Sequence, residues 1–238
     1  KRRAVARVLI LLPQRDFDPT EVAVPWAALS EAGHSITFAS ESGEPAACDP
    51  VTLTGEGLPR HARSLRAHAP NRALYAAMAA SDAFAAPIRW DAAQMADFDA
   101  VLFPGGHAPG MRPYCESAEV QRIGREAFAQ GRLVAAICHG VLPLARATNA
   151  NGTPLLAGRR TTALTGMMER FAILLTRGAL GDHYRTYGET VEAEARRAVG
   201  PNGSFDTGPL IPRYATAKRR DTGFIVEDGT YLSARWPG

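Results

Sequence analysis

The chain has 238 residues, 46% hydrophobic and 21% charged, with a net charge of +3. These values are typical of a soluble globular protein, and the length favours one large domain over two small ones. The basic residues are scattered and form no face with interleaved aromatic residues, so we expect no nucleic-acid partner. The apolar run at residues 8–13 is too short to cross a bilayer and precedes no cleavage site. We therefore predict neither a signal peptide nor a membrane anchor, and a cytoplasmic location.

The first elements in the chain predict a β-α-β unit. "VARVLILLP" is typical of a strand that is buried on both faces of a parallel sheet. In "DPTEVAVPWAALSEAG", Asp18 can cap a helix that Pro19 begins and Gly33 ends. "SITFAS" then alternates as a second strand, and a right-handed crossover should join the two strands.

Residues 44–97 interrupt this alternation. Their first part is loop-like, and "NRALYAAMAASDAF" is Ala-rich and helical, so we predict a cap or lid inserted into a single domain of residues 1–238. Its large apolar residues could form a patch for unfolded chains, although packing on the core is the simpler interpretation. They are Leu65, Leu74, Tyr75, Met78 and Phe84.

Strands and helices alternate again in the second half. "FDAVLFPGG" and "RLVAAIC" predict buried strands, and a helix capped by Ser117 lies between them. "GRRTTALTG" is strand-like, "MERFAILLTRG" and "ETVEAEARRAVG" are helical, and "GFIVEDGTYLSA" predicts two strands around a tight turn. The fold class is therefore α/β with a mostly parallel sheet, and such sheets bind ligands beyond the carboxyl ends of their strands.

One cysteine of three lies at such a strand end. Cys138 ends "RLVAAIC" and is followed by His139 and Gly140. A sharp strand-to-helix turn would expose the sulfur at the sheet edge, with Gly140 giving the chain room to pass. The following helix would lower the thiol pKa through its positive end, which favours a nucleophile. The alternative is a buried structural cysteine.

The other cysteines, Cys48 and Cys115, lack a paired base and are interpreted as incidental. The odd count and the absence of a CxxC motif predict free thiols in a reducing compartment. "PGGHAPG" ends the preceding strand, and backbone N–H groups of Gly106 and His139 could there stabilise an oxyanion.

Several motifs in order carry a family resemblance. "LFPGGHAPGM" before "VAAICHG" resembles the ThiJ/PfpI (DJ-one) superfamily, which shares its fold with class I glutamine amidotransferase domains. "DFDPTEVAVPWAALSEAGHSITFASESG", "WDAAQMADFDAVLFPGGHAPGM" and "GTPLLAGRRTTALTGMMERF" are similar to its glyoxalase III-like class, which includes heat-inducible chaperones. The resemblance implies a three-layer sandwich with a flavodoxin-like sheet and a small helical cap.

The resemblance also implies roles for individual residues. Cys138 matches the nucleophile, His139 its base, Glu21 the carboxylate beside the thiol, and Glu169 the acid that orients the histidine. Three of them have alternatives: Glu21 could close a capping box with Asp18, His139 could be a core histidine, and Glu169 could be solvated in a first helical turn. The oxyanion and substrate-binding positions are Gly105, Gly106, His107 and Gly140.

We expect no metal and no cofactor. Some relatives hold a metal with two histidines and a carboxylate, but the remaining histidines show no matching spacing with acids. These histidines are His34, His61, His68 and His183. The segment Asp182, His183 and Tyr184 is interpreted as a surface or interface feature.

The function that the resemblance implies is a glyoxalase III of the D-lactate dehydratase type, a lyase that converts methylglyoxal or glyoxal to lactate or glycolate without glutathione. The alternatives are a cysteine peptidase or amidase, and a holdase chaperone or oxidation sensor. A glutaminase is disfavoured, because the only histidine after His139 is His183, which begins no His-x-Glu pair. We expect a small aldehyde as substrate, a homodimer, and a natural chain that continues beyond Gly238.

Overall fold

The computed structural model describes residues 4–210 and 222–236. The last two residues of the chain, where we expected the natural protein to continue, lie outside this range. The strands are β1 (Arg7–Leu11), β2 (Arg15–Phe17), β3 (Ser35–Ser40), β4 (Ala47–Cys48), β5 (Ile88–Arg89), β6 (Ala100–Phe103), β7 (Leu133–Ile137), β8 (Arg160–Thr161), β9 (Ser204–Phe205), β10 (Ile225–Asp228) and β11 (Tyr231–Ala234).

The helices enclose the sheet in a three-layer α/β sandwich. They are α1 (Pro19–Glu31), α2 (Pro50–Thr54), α3 (Ala69–Ala79), α4 (Asp82–Ala85), α5 (Arg112–Glu116), α6 (Ala118–Ala129), α7 (Leu142–Arg146), α8 (Gly166–Leu180) and α9 (Val191–Val199). Helix α1 packs against α3, and α7 packs against α6 and α9.

Seven strands form the central sheet in the order β10-β11-β7-β6-β1-β3-β5. All neighbours are parallel except β10 and β11, which form the predicted antiparallel hairpin. The apolar run of β1 is buried throughout, as expected for a central strand. The chain order reverses between β1 and β6, so a crevice opens at the carboxyl ends of these strands, beside the end of β7.

The segment at residues 44–97 divides between two locations. Its early part, including Asp49, Thr52 and Leu65, borders a pocket at the carboxyl edge of the sheet. Its later part packs on the body of the fold: α3 lies against α1, and Met78 and Phe84 belong to the main core. The apolar residues of this segment therefore pack inward, as the simpler interpretation predicted.

One predicted local feature differs in the structure. The strand predicted in "GRRTTALTG" is only β8, which pairs with β9 outside the central sheet. The hydroxyl groups of Thr161 and Tyr231 lie 2.9 Å apart, and the N–H of Thr162 donates to the Ser233 side chain. The chain thus meets β11 through side chains instead of a strand ladder.

Candidate active site

The turn after β7 has the predicted elbow geometry. Cys138 has a φ of 56°, one of two positive values at described residues other than glycine. A short 3-10 helix follows at Cys138–Val141 and leads into α7. A Cβ on Gly140 would lie 2.0 Å from the carbonyl oxygen of Phe103, so only glycine fits there. The elbow therefore places the Cys138 sulfur at the sheet edge by backbone geometry.

Glu21 lies beside this sulfur at the start of α1. Asp18 caps the helix by accepting hydrogen bonds from the N–H groups of Thr20 and Glu21. The expected alternative, a capping box, is not formed, because the N–H of Asp18 donates to the carbonyl of Gly105. The carboxylate of Glu21 instead accepts a 2.6 Å hydrogen bond from the Gly105 N–H. Its other oxygen, Oε1, is buried without a hydrogen-bond partner among the described atoms.

The Cys138 thiol and the Glu21 carboxyl group affect each other's pKa. Burial raises the pKa of Glu21 well above its usual range, and the charge of Asp18 adds to the effect. Burial likewise raises the pKa of the Cys138 thiol, and the nearby Glu21 raises it further. The expectation of a low thiol pKa is therefore wrong for the resting site, because the sequence does not show the depth of burial. Two buried acids in contact carry at most one negative charge near neutral pH.

His139 lies between the thiol and a second carboxyl group. Its Nδ1 is 3.5 Å from Cys138 Sγ, and its Nε2 is 4.0 Å from Glu169 Oε1. The ring is fully buried, and burial lowers its pKa well below the usual range, so the imidazole is neutral. His139 therefore faces the sulfur and does not point away from it.

Glu169 lies in the first turn of α8 but is 2% exposed, which excludes the alternative of a solvated residue. Its Oε2 accepts a hydrogen bond from the N–H of Val191, and burial raises its pKa to about 7. His107 Nε2 lies 4.0 Å from the same Oε1 that faces His139. Glu169 thus lies near two histidines without a direct hydrogen bond to either.

A pocket of about 400 Å³ opens above Cys138. Cys138, Glu21, Gly106 and His107 border it, so the sulfur is reachable from the pocket although it is only 1% exposed. Three more carboxylates line it, from Asp16, Asp18 and Asp49, and its apolar wall belongs mainly to α8. That wall consists of Met167, Met168, Phe171, Ala172 and Leu175.

The residues assigned to substrate binding differ in whether they line the pocket. Gly106 borders the pocket, as does His107. The N–H of Gly105 is already bonded to Glu21, and Gly140 packs against the backbone of Phe103. Gly105 and Gly140 thus shape the site, and they are not among the residues that line the pocket.

Comparisons with known proteins agree with this fold. A family model described as ThiJ/PfpI family-like matches residues 12–209. The chain belongs to the ThiJ/PfpI family. A deglycase of Pyrococcus horikoshii is 28% identical over 162 residues, which cover 68% of this chain and 74% of the relative. The deglycase PfpI of Pyrococcus furiosus is 27% identical with the same coverage.

Solved structures of this superfamily share the fold. Glyoxalase III from Candida albicans superposes with a TM-score of 0.66 at 17% identity, covering 97% of this chain and 90% of the other. At that identity the likeness shows the fold alone. Within the described part of this ThiJ/PfpI chain, no helix is long and apolar enough to span a membrane.

Sequence reasoning missed part of the pocket of this ThiJ/PfpI protein. Tyr184 was interpreted as a surface residue but is 4% exposed and lines the pocket, with its hydroxyl 3.0 Å from the Thr52 hydroxyl. His183 lies 3.1 Å from Asp49. The early part of the 44–97 segment therefore meets the start of the loop after α8, a contact that no local pattern reveals.

The three cysteines differ as predicted in their surroundings. All are free, but burial raises the pKa of Cys48 and of Cys115 to about 12, and neither lines the pocket. A cation site was not expected, yet the ligand atoms of His107, His139 and Glu169 all lie within 4.8 Å of one another. Local sequence patterns do not show this juxtaposition, because His107 follows β6, His139 follows β7 and Glu169 lies in the first turn of α8.

Proposed function

We propose that the chain is a cysteine-dependent, glutathione-independent enzyme of the glyoxalase III type that converts methylglyoxal to lactate and glyoxal to glycolate. The observation that carries the proposal is the placement of the Cys138 sulfur on the pocket, between the Glu21 carboxyl and His139 Nδ1. A nucleophile with an acid on one side and a base on the other is suited to addition to a carbonyl. The names of the curated relatives, which are deglycases, support an enzymatic activity.

The first step is attack by sulfur on the aldehyde carbon. Because the thiol is neutral at rest, its proton must leave as the C–S bond forms, and His139 Nδ1 is the base within reach at 3.5 Å. The aldehyde oxygen takes a proton from the Glu21 carboxyl group, and a hemithioacetal results. The N–H groups of Gly106 and His139 would stabilise negative charge on that oxygen.

The second step moves hydrogen between neighbouring carbons. A base removes the proton from the former aldehyde carbon, and an enediol forms while the neighbouring ketone oxygen gains a proton. Protonation of the second carbon, with loss of the proton from the hydroxyl on the first carbon, then gives a 2-hydroxy thioester on Cys138. Water hydrolyses the thioester, releasing lactate and the thiol. We assign these transfers to Glu21 and His139. Burial raises the pKa of Glu21 well above its usual range, which favours the protonated form that a proton donor requires.

A second candidate function is removal of carbonyl adducts from amines, as a deglycase would do. The pocket favours it, because about 400 Å³ exceeds what methylglyoxal alone needs and falls within the range of sites for larger ligands. The carboxylates of Asp16 and Asp49 on the same pocket suit a substrate that carries an amine. Both functions share the first intermediate, since sulfur adds to the same type of carbon.

The test is lactate formation from methylglyoxal without glutathione. We expect Cys138→Ala to lower turnover by roughly 10³-fold or more, because the nucleophile is removed. Cys48→Ala is the matched control, since it deletes a buried thiol that does not line the pocket. Equal turnover in wild type and Cys138→Ala would overturn the proposal. Loss of a methylglyoxal adduct of N-acetyllysine, measured with the same variants, tests the second candidate.

A further inference from the structure

Two histidines direct unpaired nitrogen atoms at one carboxylate oxygen. Nε2 of His107 and Nε2 of His139 each lie 4.0 Å from Glu169 Oε1. Both nitrogens are buried, and neither has a hydrogen-bond partner among the described residues. Buried polar atoms are normally paired, so two unpaired nitrogens that converge on one carboxylate oxygen form a place where a ligand can bind.

We propose that His107, His139 and Glu169 form a binding site for a divalent transition metal ion of the Zn²⁺ type. Two imidazoles and one carboxylate are a common donor set for zinc, and they leave a fourth position open. His107 borders the pocket, which gives the ion a path of entry and places the open position next to the space for substrate.

The distances require a small contraction of the site. Zinc bonds to histidine nitrogen and carboxylate oxygen are about 2.0–2.1 Å, so ligand atoms in a tetrahedral site lie roughly 3.4 Å apart. The two nitrogen–oxygen pairs at 4.0 Å must therefore each close by roughly 0.6 Å, and the two nitrogens, which lie within 4.8 Å of each other, by up to roughly 1.4 Å. The second oxygen of Glu169 stays bonded to the Val191 N–H, which fixes the orientation of the carboxylate as outer-shell bonds do in metal sites.

Metal binding and catalysis would exclude each other at His139, a consequence that depends on the proposed function. A neutral imidazole with a metal on Nε2 carries its hydrogen on Nδ1. Because Nδ1 faces Cys138 Sγ at 3.5 Å, the ring could then donate to the sulfur but could not accept its proton. The ion would thus inhibit the enzyme by occupying the base, without touching the cysteine.

The experiment titrates chelator-treated protein with Zn²⁺ by calorimetry and with Co²⁺ by visible absorption. We expect one ion per chain and a Co²⁺ spectrum of tetrahedral type without a thiolate charge-transfer band. The spectrum and the affinity should survive in Cys138→Ala. His107→Ala and Glu169→Gln should each weaken Zn²⁺ binding by more than the roughly 10–100-fold typical of outer-shell changes.

His183→Ala is the matched control, because His183 is paired with Asp49 and lies outside the cluster. It should bind Zn²⁺ as wild type does, and circular dichroism should show that every variant is folded. Absence of binding, equal affinity in His107→Ala, or a site that disappears in Cys138→Ala would each overturn the metal site. Zn²⁺ should also suppress lactate formation, and a chelator should restore it. If the chain makes no lactate, the titrations still decide the metal site independently of the proposed function.

Discussion

Two parts of the pocket differ in how tightly they are packed. One is the elbow at Cys138, and the other is the α8 wall. At the elbow, the backbone itself fixes the chemistry: Cys138 has a positive φ, and Gly140 lies against Phe103 with no room for a side chain. Along α8, one buried carboxyl group, Glu169, is surrounded on the same helix by apolar side chains that are half exposed, such as Phe171 and Leu174. The elbow is therefore a tightly packed support for the Cys138 sulfur, whereas the α8 side of the pocket carries half-exposed apolar side chains.

The largest effect is expected from adding a methyl group at the elbow. Gly140→Ala places a Cβ 2.0 Å from the Phe103 carbonyl oxygen, so β6 and the turn must separate. We expect a loss of about 3–5 kcal/mol in the free energy of unfolding, measured by urea denaturation, and loss of activity. Gly178→Ala on α8 is the control, because nothing lies within 4 Å of its Cβ position. It should change stability by at most about 1 kcal/mol, in the stabilising direction. Similar losses of stability in both variants would show that the elbow is packed no more tightly than α8.

The buried carboxyl group of Glu169, on the same helix as the wall, predicts that the free energy of unfolding depends on pH. Burial raises the pKa of Glu169 from 4.5 to about 7, so the folded state keeps a proton that the unfolded chain releases in this window. Glu169 therefore makes the free energy of unfolding fall by about 3 kcal/mol as pH rises from about 4.5 to about 7.

Glu169→Gln cannot ionise, so its stability relative to wild type should increase across that window when both are unfolded in urea. Glu41→Gln changes an exposed carboxylate and should alter stability by less than about 0.5 kcal/mol. A constant difference between wild type and Glu169→Gln at all pH values would show that Glu169 is not a buried acid.

The smallest effect is expected from the apolar face of the wall. Phe171 lines the pocket, whereas Leu174, equally exposed on the same helix, does not. Phe171→Ala should raise the KM for phenylglyoxal about 10-fold, because partial burial of an aromatic ring is worth about 1.4 kcal/mol or more. The KM for methylglyoxal should change less, and Leu174→Ala should change neither. If both variants raise the KM for both substrates equally, the α8 face does not contact the substrate.

The same contrast explains how much the sequence could predict. The elbow is a local feature, so the run from strand to Cys138, His139 and Gly140 was sufficient to predict its geometry. The β-α-β order and the strand ends likewise predicted which edge of the sheet holds the site. Where a feature depends on one short segment, residue types and spacing were enough.

Features that depend on packing between distant segments were missed. Tyr184 enters the pocket because the loop after α8 meets Thr52. His107 lies near His139 and Glu169 because the turns after β6 and β7 meet the start of α8. The thiol pKa was predicted in the wrong direction for the same reason, since burial and the charge of Glu21 outweigh the start of a short helix. The sequence contains these groups but does not show the distances between them or how deeply each is buried.

The most direct test of the central claim is alkylation of the three cysteines by iodoacetamide, mapped to peptides with and without methylglyoxal. The structure places Cys138 on the pocket and buries Cys48 and Cys115 away from it. We predict that Cys138 is alkylated first and that saturating methylglyoxal slows this reaction, because sulfur and aldehyde form a bond. An inert Cys138, or alkylation at the same rate when methylglyoxal is present, would contradict the account.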